Sequence, residues 1–217
     1  MEDLQQYLRP GKYMDSDNAD VVAYAHKVVG DEKDPVQQAV KLYYAVRDDF
    51  PYNPYDVDLS ETGLKASSLL KRGHGYCVEK ANLLAASAKA LGIPVRLGFA
   101  DVRNHINSTK LMALLRSDIL AFHGYTELFL DGKWVKATPA FNKTLCEKLQ
   151  VKPLEFNGHE DSVFQENDGP EGRFMDYVFD HGTFADVPRE YFIETLRKHY
   201  PHLFNDAATI AVQPFKI

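Results

Sequence analysis

Apolar and polar positions follow two rhythms along this chain, a helical one up to about residue 94 and an alternating one after it. The segment 19–29 predicts a short helix that Gly30 terminates. Asp34-Pro35 starts a second helix, an N-cap followed by proline in the first turn, and Val36, Ala39, Val40, Tyr43 and Val46 recur behind it at helical spacing. Phe50-Pro51-Tyr52-Asn53-Pro54-Tyr55 breaks that helix into an extended aromatic stretch, and 62–70 predicts another short helix. The clearest element runs from about 77 to 91. Cys77, Ala81, Leu84, Ala85, Ala88 and Leu91 mark one face of it, Gly92 takes the C-terminal cap, and Pro94 follows.

After Pro94 the period changes to two. Val95, Leu97 and Phe99 alternate as in a strand. Leu111, Leu114, Leu115 and Ile119 predict a short helix inside 104–121, and 125–130 and 134–137 read as strands joined at the turn pair Asp131-Gly132. Beyond Phe141 the pattern weakens; 155–172 reads as a long polar loop and 188–198 as a helix stopped by Tyr200-Pro201. Helices first and meandering strands after them argue an α+β fold with an antiparallel sheet.

Composition narrows the partners. The 217 residues, 45% hydrophobic and 26% charged, suit a single domain over 1–217 with a real core. A net charge of −6, with no basic cluster beyond Lys71-Arg72, argues against a nucleic-acid surface. Met1 to Pro10 carries Glu2 and Asp3 and no apolar run, so neither a standard signal peptide nor a membrane span is expected. The two cysteines, Cys77 and Cys146, are too few for a disulfide framework, and a reduced, cytoplasmic setting is a simpler expectation than a 77–146 bridge.

Cys77 is the residue with chemistry in its surroundings. It follows Gly73-His74-Gly75-Tyr76 and opens the best helix, where unpaired N–H groups and the helix dipole favour a thiolate and can receive an oxyanion. The competing reading is a small core residue facing Ala81. His123, in Phe122-His123-Gly124-Tyr125-Thr126-Glu127, begins a strand and is the expected base for such a thiol, although a lone strand histidine is more often a packed or surface residue. His74 and Cys77 have a His-x-x-Cys spacing, but no second pair completes a zinc site, and no metal or cofactor is expected. Tyr76, with Tyr52 and Tyr55, is a candidate for a substrate groove, and His74 is placed with Tyr76 as a substrate-binding residue. Cys146 has no helix-start context and reads as a bystander.

Two strings resemble the transglutaminase-like superfamily. Gly75-Tyr76-Cys77-Val78-Glu79-Lys80-Ala81-Asn82-Leu83-Leu84, running on to Leu91-Gly92-Ile93-Pro94-Val95-Arg96, looks like its nucleophile segment. His123-Gly124-Tyr125-Thr126-Glu127-Leu128-Phe129-Leu130-Asp131-Gly132-Lys133-Trp134-Val135 resembles its histidine strand and hairpin. The resemblance covers about 35–142 and implies a papain-like core there, the nucleophile helix packed on the antiparallel sheet, with 143–217 as a helix-and-loop extension. It implies acyl transfer on an amide or peptide bond of a peptide or protein substrate through a thioester on Cys77, with hydrolysis placed first. The alternatives are a weak or inactive binding module and a protein-crosslinking transglutaminase. One departure matters. Where the family usually has Trp-Val-x-x-Asp-Pro, this chain has Trp134-Val135-Lys136-Ala137-Thr138-Pro139, which puts Thr138 in the place of the aspartate that orients the histidine. Asn142, four residues on, offers a Cys-His-Asn alternative, and Asp180 is a third candidate that reads more simply as a loop turn.

Overall fold

The computed structural model describes residues 3–104, 109–163, 175–204 and 215–216. The helices come first: α1 (Ala19–Val29), α2 (Pro35–Asp49), then a two-residue strand β1 (Asp56–Val57), α3 (Ala66–Arg72) and α4 (Cys77–Ala90). The sheet region follows with β2 (Val95–Asn104), α5 (Thr109–Leu115), β3 (Ile119–Leu130) and β4 (Lys133–Ala137), then α6 (Lys143–Leu149), β5 (Met175–Phe184), α7 (Arg189–His199) and β6 (Phe215–Lys216). The described strands form an antiparallel sheet in the order β4-β3-β2-β5, and β6 pairs separately with β1.

Local chemistry accounts for most boundaries. Asn18 caps α1 through Asp20 N–H, and Gly30, at φ 60°, closes it. Asp34 caps α2 through the N–H groups of Val36 and Gln37, with Pro35 in the first turn. Asp131 and Gly132 both have positive φ, 49° and 81°, as a two-residue hairpin turn of this hand requires. α3 starts later than the sequence pattern predicts, because 60–65 is taken up by turns that bond Leu64 N–H to Ser60 and Lys65 N–H to Thr62.

α4 differs most from its expected character. The spacing predicts one buried face, yet Glu79, Lys80, Asn82, Ser87 and Lys89 are buried as well. The helix runs through the middle of the molecule, between α1, α2 and α3 on one side and β2 and β3 on the other. Two of its polar side chains satisfy buried backbone: Asn82 donates to Tyr13 and Leu64 carbonyls, and Lys80 Nζ donates to Arg47 O at 2.9 Å and Ala140 O at 2.7 Å. Thr126 Oγ1 on β3 donates to Ala81 O and fastens helix to sheet.

Two elements correct the expectations. The segment around Asp180 is the strand β5 on the sheet edge, paired with β2, and not a loop turn. Lys143–Leu149 is helical where the pattern had faded. Of the polar loop read over 155–172, residues 155–163 carry no helix or strand beyond an isolated bridge between Ser162 and Ala137, and the rest lies outside the described residues.

Candidate active site

Cys77 occupies the first position of α4, and Glu79, at the third, reaches back to accept the N–H of Tyr76 at 3.2 Å. β3 meets the helix at this end. A side-chain carbon added to Gly124 would stand 2.9 Å from the Val78 Cα, so glycine is what allows strand and helix backbones to approach this closely. That approach brings the Gly124 backbone up to the start of α4, and Cys77 and His123 line one cavity.

The cavity measures about 200 Å³ and is walled by α5, the start of β3, α7 and the turn after it, and the stretch 52–59. Its polar groups are Cys77, His123 and the tyrosines Tyr52, Tyr76 and Tyr200. Tyr52 lines the cavity with Cys77, and burial pushes its phenol well above its usual range. The Tyr200 hydroxyl is engaged, donating to Ile119 O and accepting from Ala121 N–H, both at 2.7 Å. The buried Tyr76 hydroxyl has no hydrogen-bond partner among the described residues.

Burial dominates the electrostatics. Desolvation pushes the Cys77 thiol up to about 11 against the opposing N–H groups of Gly124, Val78 and Cys77 itself. The lowered pKa expected of a cysteine at a helix N-terminus is therefore reversed by burial. His123 is 1% exposed, and burial brings its imidazole down to about 4. At neutral pH the resting pair is a thiol and a neutral imidazole.

The three candidates for a third member stand in different surroundings. Thr138 is buried, its N–H donates to Ser162 O, and its hydroxyl has no hydrogen-bond partner among the described residues. Asn142 Oδ1 accepts the N–H of Tyr52 at 2.9 Å and its Nδ2 donates to Thr144 Oγ1 at 2.7 Å. It thus anchors the backbone of Tyr52, which lines the cavity with Cys77, and makes no bond to the imidazole. Asp180 is exposed, its carboxylate turned back to Gly182 N–H. His74 pairs with Asp56 at 2.8 Å and is not part of the cavity wall, whereas Tyr76 is. Cys77 and Cys146 are both free thiols, and Cys146 lies on α6.

A second polar cluster backs the histidine strand. Phe122, immediately before His123, has φ 58°, a strained value for a bulky side chain. Its N–H is held by Asp101 Oδ1 at 2.8 Å. The same buried carboxylate bonds His181 Nε2 at 2.8 Å and lies 3.2 Å from His199 Nε2, while His181 Nδ1 meets the Tyr191 hydroxyl at 2.6 Å. The Phe122 ring is stacked between Phe99 and Phe192. Sequence reasoning passed over this cluster. The available signal was Asp101 itself, a carboxylate continuing the alternating apolar run of β2.

The sequence profile of the transglutaminase-like superfamily matches residues 22–139, which take in α4, the histidine strand and the hairpin. The chain belongs to the transglutaminase-like superfamily. Solved structures agree on the fold. A protein from Cytophaga hutchinsonii, provisionally named a cysteine protease, superposes with TM-score 0.56 at 16% identity over 88% of this chain and 50% of its own. Arylamine N-acetyltransferase from Salmonella typhimurium gives 0.52 at 16% identity, over 84% of this chain and 70% of its own. The Nocardia farcinica arylamine N-acetyltransferase gives 0.52 at 16%, over 96% and 75%. The chain spans about half the length of the Cytophaga structure. No curated protein matches it in sequence. Membership of the transglutaminase-like superfamily accords with cysteine-based acyl transfer in general. Among the described residues no helix is long and apolar enough to cross a membrane.

Proposed function

We propose that this transglutaminase-like protein is a cysteine-dependent acyltransferase acting as a hydrolase, with Cys77 as nucleophile and His123 as its base. The observation that carries the reading is that the side chains of Cys77, at the start of α4, and His123 line one cavity. Because both groups rest neutral, the proton leaves sulfur for His123 as the carbonyl carbon is attacked, rather than beforehand. Negative charge that develops there meets the free N–H groups at the helix start. His123 then protonates the leaving amine or alcohol, and water releases the acyl group.

The test is acylation of Cys77 by an activated ester, read by mass spectrometry after acid quench. A hydroxylamine-sensitive adduct on Cys77 should form and turn over, and His123→Ala should slow its formation by about 10²- to 10⁴-fold. Acylation no faster at Cys77 than at Cys146, or indifferent to His123, would favour the second reading, a binding module of the same fold. That reading has one observation behind it: Thr138 stands where the family usually has its aspartate, and it brings no negative charge.

A further inference from the structure

We infer that the cavity beside Cys77 is an acyl-chain pocket that takes an uncharged, apolar acyl group of medium length, roughly six to eight carbons. The inference rests on the acyl-transfer reading above and names its substrate class. The wall away from the sulfur is built from Leu111, Leu114 and Leu115 of α5, Phe192 and Leu196 of α7, and Leu203. Beyond Cys77, His123 and the tyrosines, no ionisable described residue lines it. A charged chain entering it would lose its water without gaining a partner. A polypeptide main chain fares little better, because the Tyr200 hydroxyl is already committed to Ile119 and Ala121 and the unpartnered Tyr76 hydroxyl could answer few of the several N–H and C=O groups it would bring. An alkyl or phenylalkyl chain loses nothing there.

Size sets the length. An apolar cavity of about 150 Å³ is enough for benzene, so this one, of about 200 Å³, admits a somewhat larger group. In the first step the bond from Cys77 Sγ to the acyl carbon forms and the bond from that carbon to the leaving oxygen or nitrogen breaks. The thiol proton passes through His123 to the leaving group, and the chain stays in the cavity as a thioester. In the second, water oxygen bonds the carbon, the carbon–sulfur bond breaks, and the proton returns to sulfur.

Two probe series test this. With p-nitrophenyl esters from acetate to dodecanoate, kcat/KM should rise about fourfold per added methylene, the equivalent of ~0.8 kcal/mol each, and fall beyond about eight carbons. Alkyl methanethiosulfonates of matching length exchange with any thiol: the Cys77 sulfur bonds the alkylthio sulfur as methanesulfinate leaves. They need no catalysis, and dividing the longer-chain rate by the methyl rate removes the effect of the raised thiol pKa. That ratio at Cys77, read by mass spectrometry, should exceed the ratio for glutathione at least tenfold and survive His123→Ala. Leu196→Trp and, independently, Leu114→Trp should shift both profiles toward the shortest chains. Inert esters with the thiosulfonate preference intact would remove the enzymatic reading while supporting the apolar site. Thiosulfonate ratios equal to those of glutathione, or unmoved by both tryptophans in folded protein, would overturn the pocket whatever the esters do.

Discussion

The N–H groups of Gly124, Val78 and Cys77 all favour negative charge on the Cys77 sulfur, and burial still takes the thiol up to about 11. What the site lacks at the level of single residues is a charge at 138. A threonine hydroxyl can orient an imidazole but cannot stabilise its cationic form, and here the Thr138 hydroxyl is buried without a hydrogen-bond partner among the described residues. Thr138→Asp returns the carboxylate the family usually carries. It should favour the thiolate–imidazolium pair and speed Cys77 alkylation by iodoacetamide at pH 7 at least tenfold, since each unit taken off a thiol pKa above the ambient pH multiplies the thiolate tenfold. Folded Thr138→Asp with an unchanged alkylation rate would show that position 138 has no hold on the pair. Sequence patterning singled out Cys77 as a candidate at a helix start and His123 beside Gly124, and the structure puts both side chains on one cavity, with His123 inside β3 rather than at its start. Patterning could not foresee the reversed thiol pKa, since that burial comes from the packing of α4 among elements distant in sequence.

At the level of elements, the direction of His123 is decided by the register of β3 on β2. The pairing runs regularly up to Ala100 opposite His123 and then shifts, and Phe122 absorbs the irregularity with its positive φ. Such a backbone persists only when its surroundings hold it, and Asp101 does so through the Phe122 N–H while its other contacts are the imidazoles of His181 and His199. Asp101→Ala should therefore lower kcat for ester turnover on the order of 10²-fold, the effect of a small misplacement of the base, with KM nearly unchanged. Asp101→Asn, which keeps an acceptor for Phe122, should restore most of it. A merely structural role would instead lower thermal stability in both variants without this split between kcat and KM. The strands that form this junction differed in legibility. β2 and β3 announce themselves by buried alternation. β5 does not, because an edge strand with Tyr177, Val178 and Phe179 exposed on it has no face-by-face pattern to read. The helix α6 is too short for periodicity to show, and the polar residues of α4 gave no sign that the helix is surrounded on all sides.

Across the whole molecule, the α4 region concentrates buried titratable groups whose effects on stability oppose one another. Burial raises Glu79 to about 8, and burial also lowers Lys80 to about 7 and His123 to about 4. Glu79 binds its proton more tightly in the fold, so its contribution is full below the unfolded value near 4.5 and is lost as pH rises through 8. His123 has the opposite sign. Its folded value lies below the usual 6.5, so its contribution is present above pH 6.5 and is lost as pH falls through 4. Between pH 6.5 and 4.5 the two cancel, and acid stability of the intact protein should be nearly flat there for reasons that neither residue reveals alone. The difference between two proteins exposes one term. In His123→Asn, Glu79 and Lys80 remain, so wild type minus variant isolates the histidine. Wild-type stability should fall relative to the variant by about 1.4 kcal/mol per pH unit below 6.5, about 3 kcal/mol in all by pH 4. Urea denaturation of both proteins at pH 7, 6, 5 and 4.5 measures it. Curves that stay parallel over that range would mean that His123 takes up its proton in the folded state as readily as in the unfolded chain, and the neutral resting imidazole of the proposed mechanism would go with them.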